Sequence, residues 1–400
     1  MRLADIMVAM TPRERIRAAM RHEPVDRVPV MCQLALGHYF LHSGRKPSEI
    51  WFDTTAFIET LANFQQRYDF DGFLINLPGR PANWRDYLQS VEPDDGGERL
   101  VWQCGMETIV PADDNPHTFL RGRQDLPRAD YANVDPDDPK IFRLPGYVWN
   151  TYHAPTLWDI PDEADLTRPA VYPDWLTSGL RQARTACPNA SVHVEVFSPF
   201  THLLELFGYQ SALMALIEAE DTCKRLLDQF TWQVIAQVEC FAPCEPDAIL
   251  ISSAFAGGGF ISREMYVNFV VPYERQVVDA IHNHALPAYV HTCGKIGDRL
   301  DLMADSGVDG IDTLDPPPLG TVDLAKAKGE FGERFFFKGN LDAVNEMLRA
   351  DDATFEEAVR QRLAIGAPGS GYILSSACSV APGVRPERLR RMVELSRERA

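Results

Sequence analysis

Eight short apolar runs, each followed by a segment of helical periodicity, limit the folds open to this chain. The last six runs are almost continuously apolar, which is typical of parallel strands covered on both faces. Eight strands that alternate with helices predict an α/β protein with the (β/α)8 TIM-barrel fold. An open doubly wound sheet is the alternative, but no glycine-rich dinucleotide turn follows the first run. The predicted strands are Val28–Gln33, Phe70–Leu77, Ser191–Phe197, Asp247–Ser253, Leu286–Thr292, Val308–Leu314, Arg334–Gly339 and Gly371–Ala377.

Two further segments accompany this pattern. Thr11, Pro12 and Glu14 are the residue types of a capped helix start, so an N-terminal helix is predicted. Residues 78–190 are rich in Pro, Asp, Trp and Tyr and are predicted to be a long insertion after the second strand, with a hairpin over Arg99–Val110. Loops after barrel strands lie at the catalytic face, so the insertion is either a lid or substrate wall, or a surface elaboration. Residues 1–400 are expected to form one domain that contains it.

Charge and cysteine content restrict the partners and the compartment. The net charge of −18 argues against nucleic acid, because phosphate binding needs a basic surface. No apolar run approaches the roughly eighteen residues that span a bilayer, so no membrane association is expected. Residues 1–20 mix charged and apolar side chains, unlike a signal peptide. The eight cysteines are therefore expected to be reduced in a cytoplasmic protein.

Three soft ligands occur at the ends of two predicted strands. His291 and Cys293 are two residues apart, so on a strand they point to the same side, and Cys378 ends the last strand. The carboxyl ends of barrel strands meet at one mouth, so their separation along the chain does not prevent a shared site. Two thiolates and one imidazole favour zinc and leave a fourth position open. Taken singly, each would be a buried thiol or a core histidine; the shared position favours a metal site.

His193 and Glu195 lie on one side of the third strand. A carboxylate inside a barrel is costly unless it is paired or bound to metal. Glu195 is therefore a candidate fourth zinc ligand or acid/base group, and His193 a candidate catalytic neighbour. The alternative for Glu195 is an ion pair with an arginine inside the barrel.

Other polar or flexible positions also follow strands. Asp312 ends the sixth strand and is a candidate for the catalytic or substrate-contacting set. Asn340 follows the seventh strand and is a candidate for cofactor binding. Gly257 and Gly258 follow the fourth strand and would let the backbone approach a ligand closely, although a flexible loop explains them equally well.

Four groups of residues carry a family resemblance. They are Thr11–Ile16 with Pro24–Val30, Val196–Thr201, Lys338–Asp342 and Gly371–Leu374. Through them the chain resembles the uroporphyrinogen decarboxylase superfamily over essentially its whole length. The resemblance implies the (β/α)8 barrel reached above from the strand pattern.

Members of this superfamily catalyse two kinds of reaction, and three sequence elements distinguish the decarboxylases from the other branch. The decarboxylases have a Met-Arg-Gln-Ala-Gly-Arg element where this chain has Met31–Leu36, without arginine. They have a catalytic aspartate in a Phe-Ser-Asp element where this chain reads Ile75–Pro78, and a histidine where it has Cys378. These differences disfavour uroporphyrinogen decarboxylation, which stays as an alternative.

The other branch is similar to this chain at the soft ligands. It comprises corrinoid-dependent methyltransferases whose His-x-Cys and distant Cys bind zinc, which implies that role for His291, Cys293 and Cys378. The resemblance implies Zn²⁺ and a corrinoid (cobalamin) on a partner protein, since no Asp-x-His-x-x-Gly element is present here. A small methyl donor is the other implied partner, and the oligomeric state, including a homodimer, stays open.

The resemblance leaves the half-reaction open. The favoured hypothesis is a demethylase, which moves a methyl group from a methoxylated aromatic, methylamine or methyl thiol to the cobalt of the corrinoid protein. The alternatives are transfer from a methyl-corrinoid to a thiol such as coenzyme M, and a non-enzymatic barrel that binds a corrinoid or tetrapyrrole. An aromatic donor would suit the aromatic residues of the insertion, which are Trp84, Tyr87, Trp102, Tyr147, Trp149, Tyr152 and Trp158.

Overall fold

The computed structural model describes residues 9–122, 128–143, 160–161 and 163–398. Tyr147, Trp149, Tyr152 and Trp158 lie outside the described residues. The strands are β1 Gly72–Ile75, β2 Leu88–Asp94, β3 Gly97–Trp102, β4 Met106–Pro111, β5 His117–Leu120, β6 Ser191–Phe197, β7 Ala248–Ser252, β8 Ala288–His291, β9 Gly310–Thr313, β10 Phe336–Leu341 and β11 Tyr372–Ser376.

Helices precede β1, separate the parallel strands and follow β11. They are α1 Pro12–Met20, α2 Leu36–Ser43, α3 Pro47–Phe52, α4 Thr54–Tyr68, α5 Ser178–Ala186, α6 Pro199–Phe207, α7 Tyr209–Glu218, α8 Glu220–Phe241, α9 Arg263–Phe269, α10 Val271–His282, α11 Leu300–Asp305, α12 Leu324–Phe331, α13 Asp352–Gly366 and α14 Pro386–Arg397. None of the helices in the described ranges is long and apolar enough to cross a bilayer.

The main sheet is parallel and has seven strands in the order β1-β6-β7-β8-β9-β10-β11. Its strands fall within the predicted apolar runs or extend past them by two residues, and β6 matches the predicted bounds. The chain is thus an α/β protein whose parallel strands are separated by helices, as the sequence predicts.

The predicted first strand, Val28–Gln33, is the exception. It forms only isolated bridges, from Val30 to Leu374 and from Leu34 to Val380. The amide of Val30 donates to the side chain of Asp71 at 2.8 Å, which replaces a ladder hydrogen bond. Asp71 in turn donates its amide to the Val30 carbonyl. Residues 29–34 therefore lie between the two edge strands, β11 and β1, without forming a regular strand.

The N-terminal helix α1 closes the amino end of the parallel sheet. Thr11 caps it in a reciprocal capping box with Glu14, as predicted. Arg13 contacts Asp247 at 2.8 Å, and Arg15 contacts Asp71 at 2.5 Å. These aspartates precede β7 and β1 and are buried, so the ion pairs hold α1 against the starts of the strands.

Residues 76–190 separate β1 from β6 and contain an antiparallel sheet in the order β2-β3-β4-β5. Strands β3 and β4 form the hairpin predicted over Arg99–Val110. Trp84 and Trp102 are buried and pack against Phe52 of α3. Both indoles thus belong to the core beneath this sheet. A role of the segment as a lid or substrate wall stays a prediction.

The inner face of the parallel sheet changes from apolar to polar along the strands. An apolar cluster near the amino ends includes Leu250, Tyr289, Phe336 and Ile373 and packs on α1. On β9 the matching position is Gly310, because a Cβ atom there would lie 2.4 Å from the Phe336 ring. Side chains two residues further along a strand share its face. The next inner layer is therefore polar and comprises Ser252, His291, Asp312, Lys338 and Ser375.

Candidate metal centre

The three predicted soft ligands come together at the carboxyl ends of β8 and β11. The Cys293 Sγ lies 3.4 Å from the His291 Nε2 and 3.7 Å from the Cys378 Sγ. All three ligand atoms lie within 4.8 Å of one another. His291 is buried, whereas both cysteines are half-buried. The two cysteines are therefore the more accessible members of the cluster.

These separations fit a tetrahedral zinc ion. Zinc binds sulfur at about 2.3 Å and imidazole nitrogen at about 2.0–2.1 Å. Tetrahedral angles then put two sulfurs about 3.8 Å apart and sulfur and nitrogen about 3.5 Å apart. The observed distances of 3.7 and 3.4 Å agree with this geometry. The donor set of two sulfurs and one imidazole also suits zinc by its chemistry.

A buried ion pair holds the His291 ring in place. The Nδ1 of His291 lies 3.0 Å from Asp312 Oδ2, and Lys338 Nζ lies 2.8 Å from Asp312 Oδ1. Both side chains of the Asp312–Lys338 pair are 2–3% exposed. A carboxylate that accepts from Nδ1–H leaves Nε2, on the sulfur side of the ring, as the nitrogen that can bind a metal once it is deprotonated. Asp312 therefore orients the ring of this candidate ligand.

The groups of the cluster shift one another's pKa values. Burial by itself lowers the pKa of an imidazole, but Asp312 and Cys378 outweigh it and raise the pKa of His291 to about 10. The hydrogen bond from Cys293, with further help from His291, holds the pKa of Cys378 well below its ordinary value. The same hydrogen bond raises the pKa of Cys293. Metal binding needs both thiols and the imidazole Nε2 without their protons, so it would release protons from this cluster.

Two loops support the backbone around Cys293. Gly257 packs so closely that a Cβ atom would lie 2.5 Å from the Cys293 carbonyl oxygen. Gly258 donates its amide to the Lys295 carbonyl at 2.7 Å. On the other side, Asp315 Oδ2 accepts from the Gly294 amide at 2.6 Å. The two glycines thus allow one loop to pack against the loop that carries Cys293, and their predicted role in cofactor binding stays a prediction.

Residues 159–399 match the uroporphyrinogen decarboxylase (URO-D) family. The chain belongs to this family. It is 28% identical to the methylcobamide:CoM methyltransferase MtbA of Methanosarcina mazei over 98% of this chain and 99% of that protein. It is 29% identical to the uroporphyrinogen decarboxylase of Tolumonas auensis over 37% of this chain, an alignment that spans only 40% of that enzyme.

A solved structure supports the fold. A methyltransferase from Methanosarcina mazei superposes with a TM-score of 0.68 and 16% sequence identity, covering 97% of this chain and 99% of that one. At this identity the likeness concerns the fold alone. The likeness in fold includes the part of the chain before residue 159.

Glu195 of this URO-D protein lies on the inner face near the candidate metal centre. It is 6% exposed, and its Oε2 has no hydrogen-bond partner. Burial raises the pKa of Glu195 to about 7, against the opposing influence of the nearby His291. The metal cluster within the described residues does not include it. A role as fourth ligand or proton carrier stays a prediction.

His193 and Asn340 have different surroundings. Both ring nitrogens of His193 are engaged, Nε2 with Ser191 at 3.1 Å and Nδ1 with the Tyr289 hydroxyl at 2.8 Å. Burial lowers the pKa of His193 to about 4, so it is neutral. These contacts fix the ring in place, and the catalytic role of His193 stays a prediction. Asn340 donates to the Leu314 carbonyl at 2.9 Å, and its Oδ1 is buried without a partner.

Lys338 is the member of the centre that sequence reasoning missed. The signal was present, because this lysine interrupts an apolar strand and lies two residues after the inward-facing Phe336. A charged side chain at an inward position of a buried strand requires a counter-charge. Asp312, on the neighbouring strand and in register with Lys338, supplies it.

Proposed function

We propose that this protein is a zinc-dependent methyltransferase that moves a methyl group from a small donor to the cobalt of a corrinoid carried by a partner protein. The observation that carries this proposal is the meeting of Cys293, Cys378 and His291 at tetrahedral spacing. Membership of the URO-D family and the full-length similarity to MtbA support it. We also propose that the parallel strands close into a (β/α)8 barrel, in which residues 29–34 take the place of the eighth strand. The protein is proposed to be cytoplasmic.

Each residue of the centre would have a distinct role in this reaction. His291, Cys293 and Cys378 would hold the zinc, which supplies Lewis acidity to the donor heteroatom. Asp312 keeps the imidazole in one orientation, and Lys338 balances the carboxylate charge. Glu195, with a pKa of about 7, can supply the proton that the demethylated oxygen, nitrogen or sulfur takes up.

The second candidate is the other half-reaction, transfer from a methyl-corrinoid to a thiol. It is favoured by the similarity to MtbA, whose name describes that reaction and which aligns over 98% of this chain. The same centre would serve, with the thiol bound on the side of the two cysteines. Glu195 would then accept the thiol proton.

Uroporphyrinogen decarboxylation and simple tetrapyrrole binding are the remaining alternatives. The decarboxylase relatives cover less than half of this chain. In addition, the Met31–Leu36 stretch has no arginine to meet a substrate with many carboxylates. A metal centre with one open position is also unnecessary for a binding barrel.

The test combines metal analysis with three assays on one preparation. We expect about one zinc per chain in protein purified without chelator. Demethylation is measured by methylation of cob(I)alamin from methoxyaromatics, methylamines and methyl thiols. The reverse direction is measured by loss of methylcobalamin with coenzyme M, and decarboxylation by turnover of uroporphyrinogen. Cys378→Ser should abolish zinc binding and methyl transfer, whereas Cys104→Ser, at an exposed thiol, should change neither. Absence of zinc, or uroporphyrinogen turnover alone, would refute the proposal.

A further inference from the structure

Arg80 is a buried cation in the loop that follows β1. Its backbone is fixed by Thr54, whose Oγ1 accepts from the Arg80 amide at 2.7 Å and donates to the Arg80 carbonyl at 3.2 Å. Its guanidinium carbon lies 4.9 Å from the centre of the Phe52 ring and 5.4 Å from that of Trp51. The residue is 2% exposed. Helix α3 and the start of α4 therefore hold this side chain away from water.

The charge of this guanidinium is not balanced within the part of the chain that the structure describes. Its Nε donates to the Trp51 carbonyl at 3.4 Å, but Nη1 and Nη2 have no hydrogen-bond partner among the described residues. None of the carboxylates among the described residues forms an ion pair with it. The indole Nε1 of Trp84, which packs on Phe52, is a further buried donor without a partner.

A buried charge without a partner is among the costliest features a fold can contain. Contacts with the rings of Trp51 and Phe52 return only part of that cost. Burial lowers the pKa of Arg80 to about 9, so the side chain is still cationic at neutral pH. An arginine fork with two free ends matches a group that accepts two hydrogen bonds in one plane.

We propose that Arg80 binds the terminal oxyanion, a carboxylate or a sulfonate, of the small substrate. Arg80 follows β1 by five residues, and the carboxyl ends of β1, β8 and β11 lie at the same edge of the parallel sheet. The assignment of this anion to the methyl-transfer substrate rests on the proposed function, whereas the anion site itself does not. Exclusion of water strengthens such a pair.

The competing explanation is that Arg80 only packs against the aromatic rings. The two explanations differ in how Arg80→Met changes stability. If Arg80 serves to bind an anion, Arg80→Met removes a buried cation that has no counter-charge. The variant should then be as stable as the ligand-free wild type, or more stable. If Arg80 is only a packing residue, the variant loses stability equally with and without ligand.

The experiment measures thermal unfolding and ligand titration at constant ionic strength for the wild type, Arg80→Met and Arg80→Lys. The matched control is Arg85→Met. Arg85 stacks on Trp84 with its guanidinium carbon 4.3 Å from the ring centre, but its side chain is 55% exposed. The probes are benzoate, 4-methoxybenzoate, ethanesulfonate and 2-mercaptoethanesulfonate, with anisole as the neutral analogue.

We expect at least one class of anion to stabilise the wild type and the Arg85→Met control, and anisole to have no such effect. Affinity should fall by about 10- to 100-fold in Arg80→Met and by less in Arg80→Lys, which keeps the charge without the fork. A response to carboxylates alone identifies the methyl donor as the source, and a response to sulfonates alone identifies a coenzyme M-type acceptor. A response to both supports a general oxyanion site.

Two results would overturn the inference. One is that none of the four anions stabilises the wild type. The other is that Arg80→Met responds to the anions as the wild type does. Zinc content and methyl transfer are measured separately, so an anion effect in a protein without zinc would refute the proposed function and leave the anion site standing.

Discussion

Asp312→Asn separates what the buried ion pair does for folding from what it does for the metal. The substitution keeps the shape of the side chain and removes its charge. Asp312 contacts Lys338 at 2.8 Å and His291 at 3.0 Å, and these side chains are 2–7% exposed. Solvent screening is therefore small, and the cost of a buried pair that loses one partner applies in full.

The size of the stability loss follows from the ammonium group of Lys338, which Asp312→Asn leaves buried without a counter-charge. Breaking a buried pair in this way costs about 3–5 kcal/mol of unfolding free energy. Loss of the carboxylate that orients a metal-binding histidine weakens metal affinity by about 10- to 100-fold. Asp312→Asn should show both effects. The double variant Asp312→Asn/Lys338→Met removes both charges, so its stability should recover to within about 1–2 kcal/mol of the wild type, while its zinc affinity stays weak.

Urea unfolding with chelator present measures stability without a contribution from zinc. Competition with a chromophoric chelator measures zinc affinity. Wild-type zinc affinity in Asp312→Asn would show that the carboxylate does not orient His291. A double variant as unstable as the single one would show that the loss does not come from the unpaired lysine.

Three further outcomes are expected. Gly257→Ala should weaken zinc binding by about tenfold, because its Cβ would meet the Cys293 carbonyl at 2.5 Å and displace the ligand loop. Gly259→Ala, with open space around the added Cβ, should bind zinc normally in the same competition assay. Cys378→Ser should leave the far-ultraviolet circular dichroism unchanged while zinc per chain falls to near zero; a collapsed spectrum would contradict a purely ligating role. Burial raises the pKa of Glu274 from 4.5 to about 7. The folded protein therefore keeps this proton to higher pH than the unfolded chain, and the residue lowers stability by up to about 3 kcal/mol as pH rises from about 4.5 to about 7. In urea titrations across that range Glu274→Gln should lose less stability than the wild type, because the variant keeps only the contribution of the other buried carboxylates such as Glu195. Parallel curves would refute the role of Glu274.

The parallel strands could be predicted because both of their faces are buried, which leaves a continuous apolar run in the sequence. The same run over Val28–Gln33 was misleading, because Pro29 has no amide to donate and the Val30 amide binds the Asp71 side chain. Pairing of this kind depends on a residue far along the chain. Likewise, helical periodicity continues through Ala219, where the backbone leaves the helix at φ −138° and divides α7 from α8.

The meeting of His291, Cys293 and Cys378 could be predicted because a spacing of two residues puts His291 and Cys293 on the same side, and a barrel-like sheet brings strand ends together. The contacts that support these three residues could not be predicted. The role of Gly257 depends on a contact between loops, and the pairing of Lys338 with Asp312 depends on register between strands. The isolation of Arg80 becomes visible only when the surrounding carboxylates can be located.

The two sulfurs are 85 residues apart in the chain, and strands β9, β10 and β11 lie between them. An ion bound by both sulfurs would close the chain between Cys293 and Cys378 into a ring. The loop-closure relation for disulfides assigns about 4–5 kcal/mol to a ring of that size. Zinc at this centre would therefore also cross-link the C-terminal third of the molecule. A chelator should then lower the free energy of unfolding as well as abolish the proposed methyl transfer.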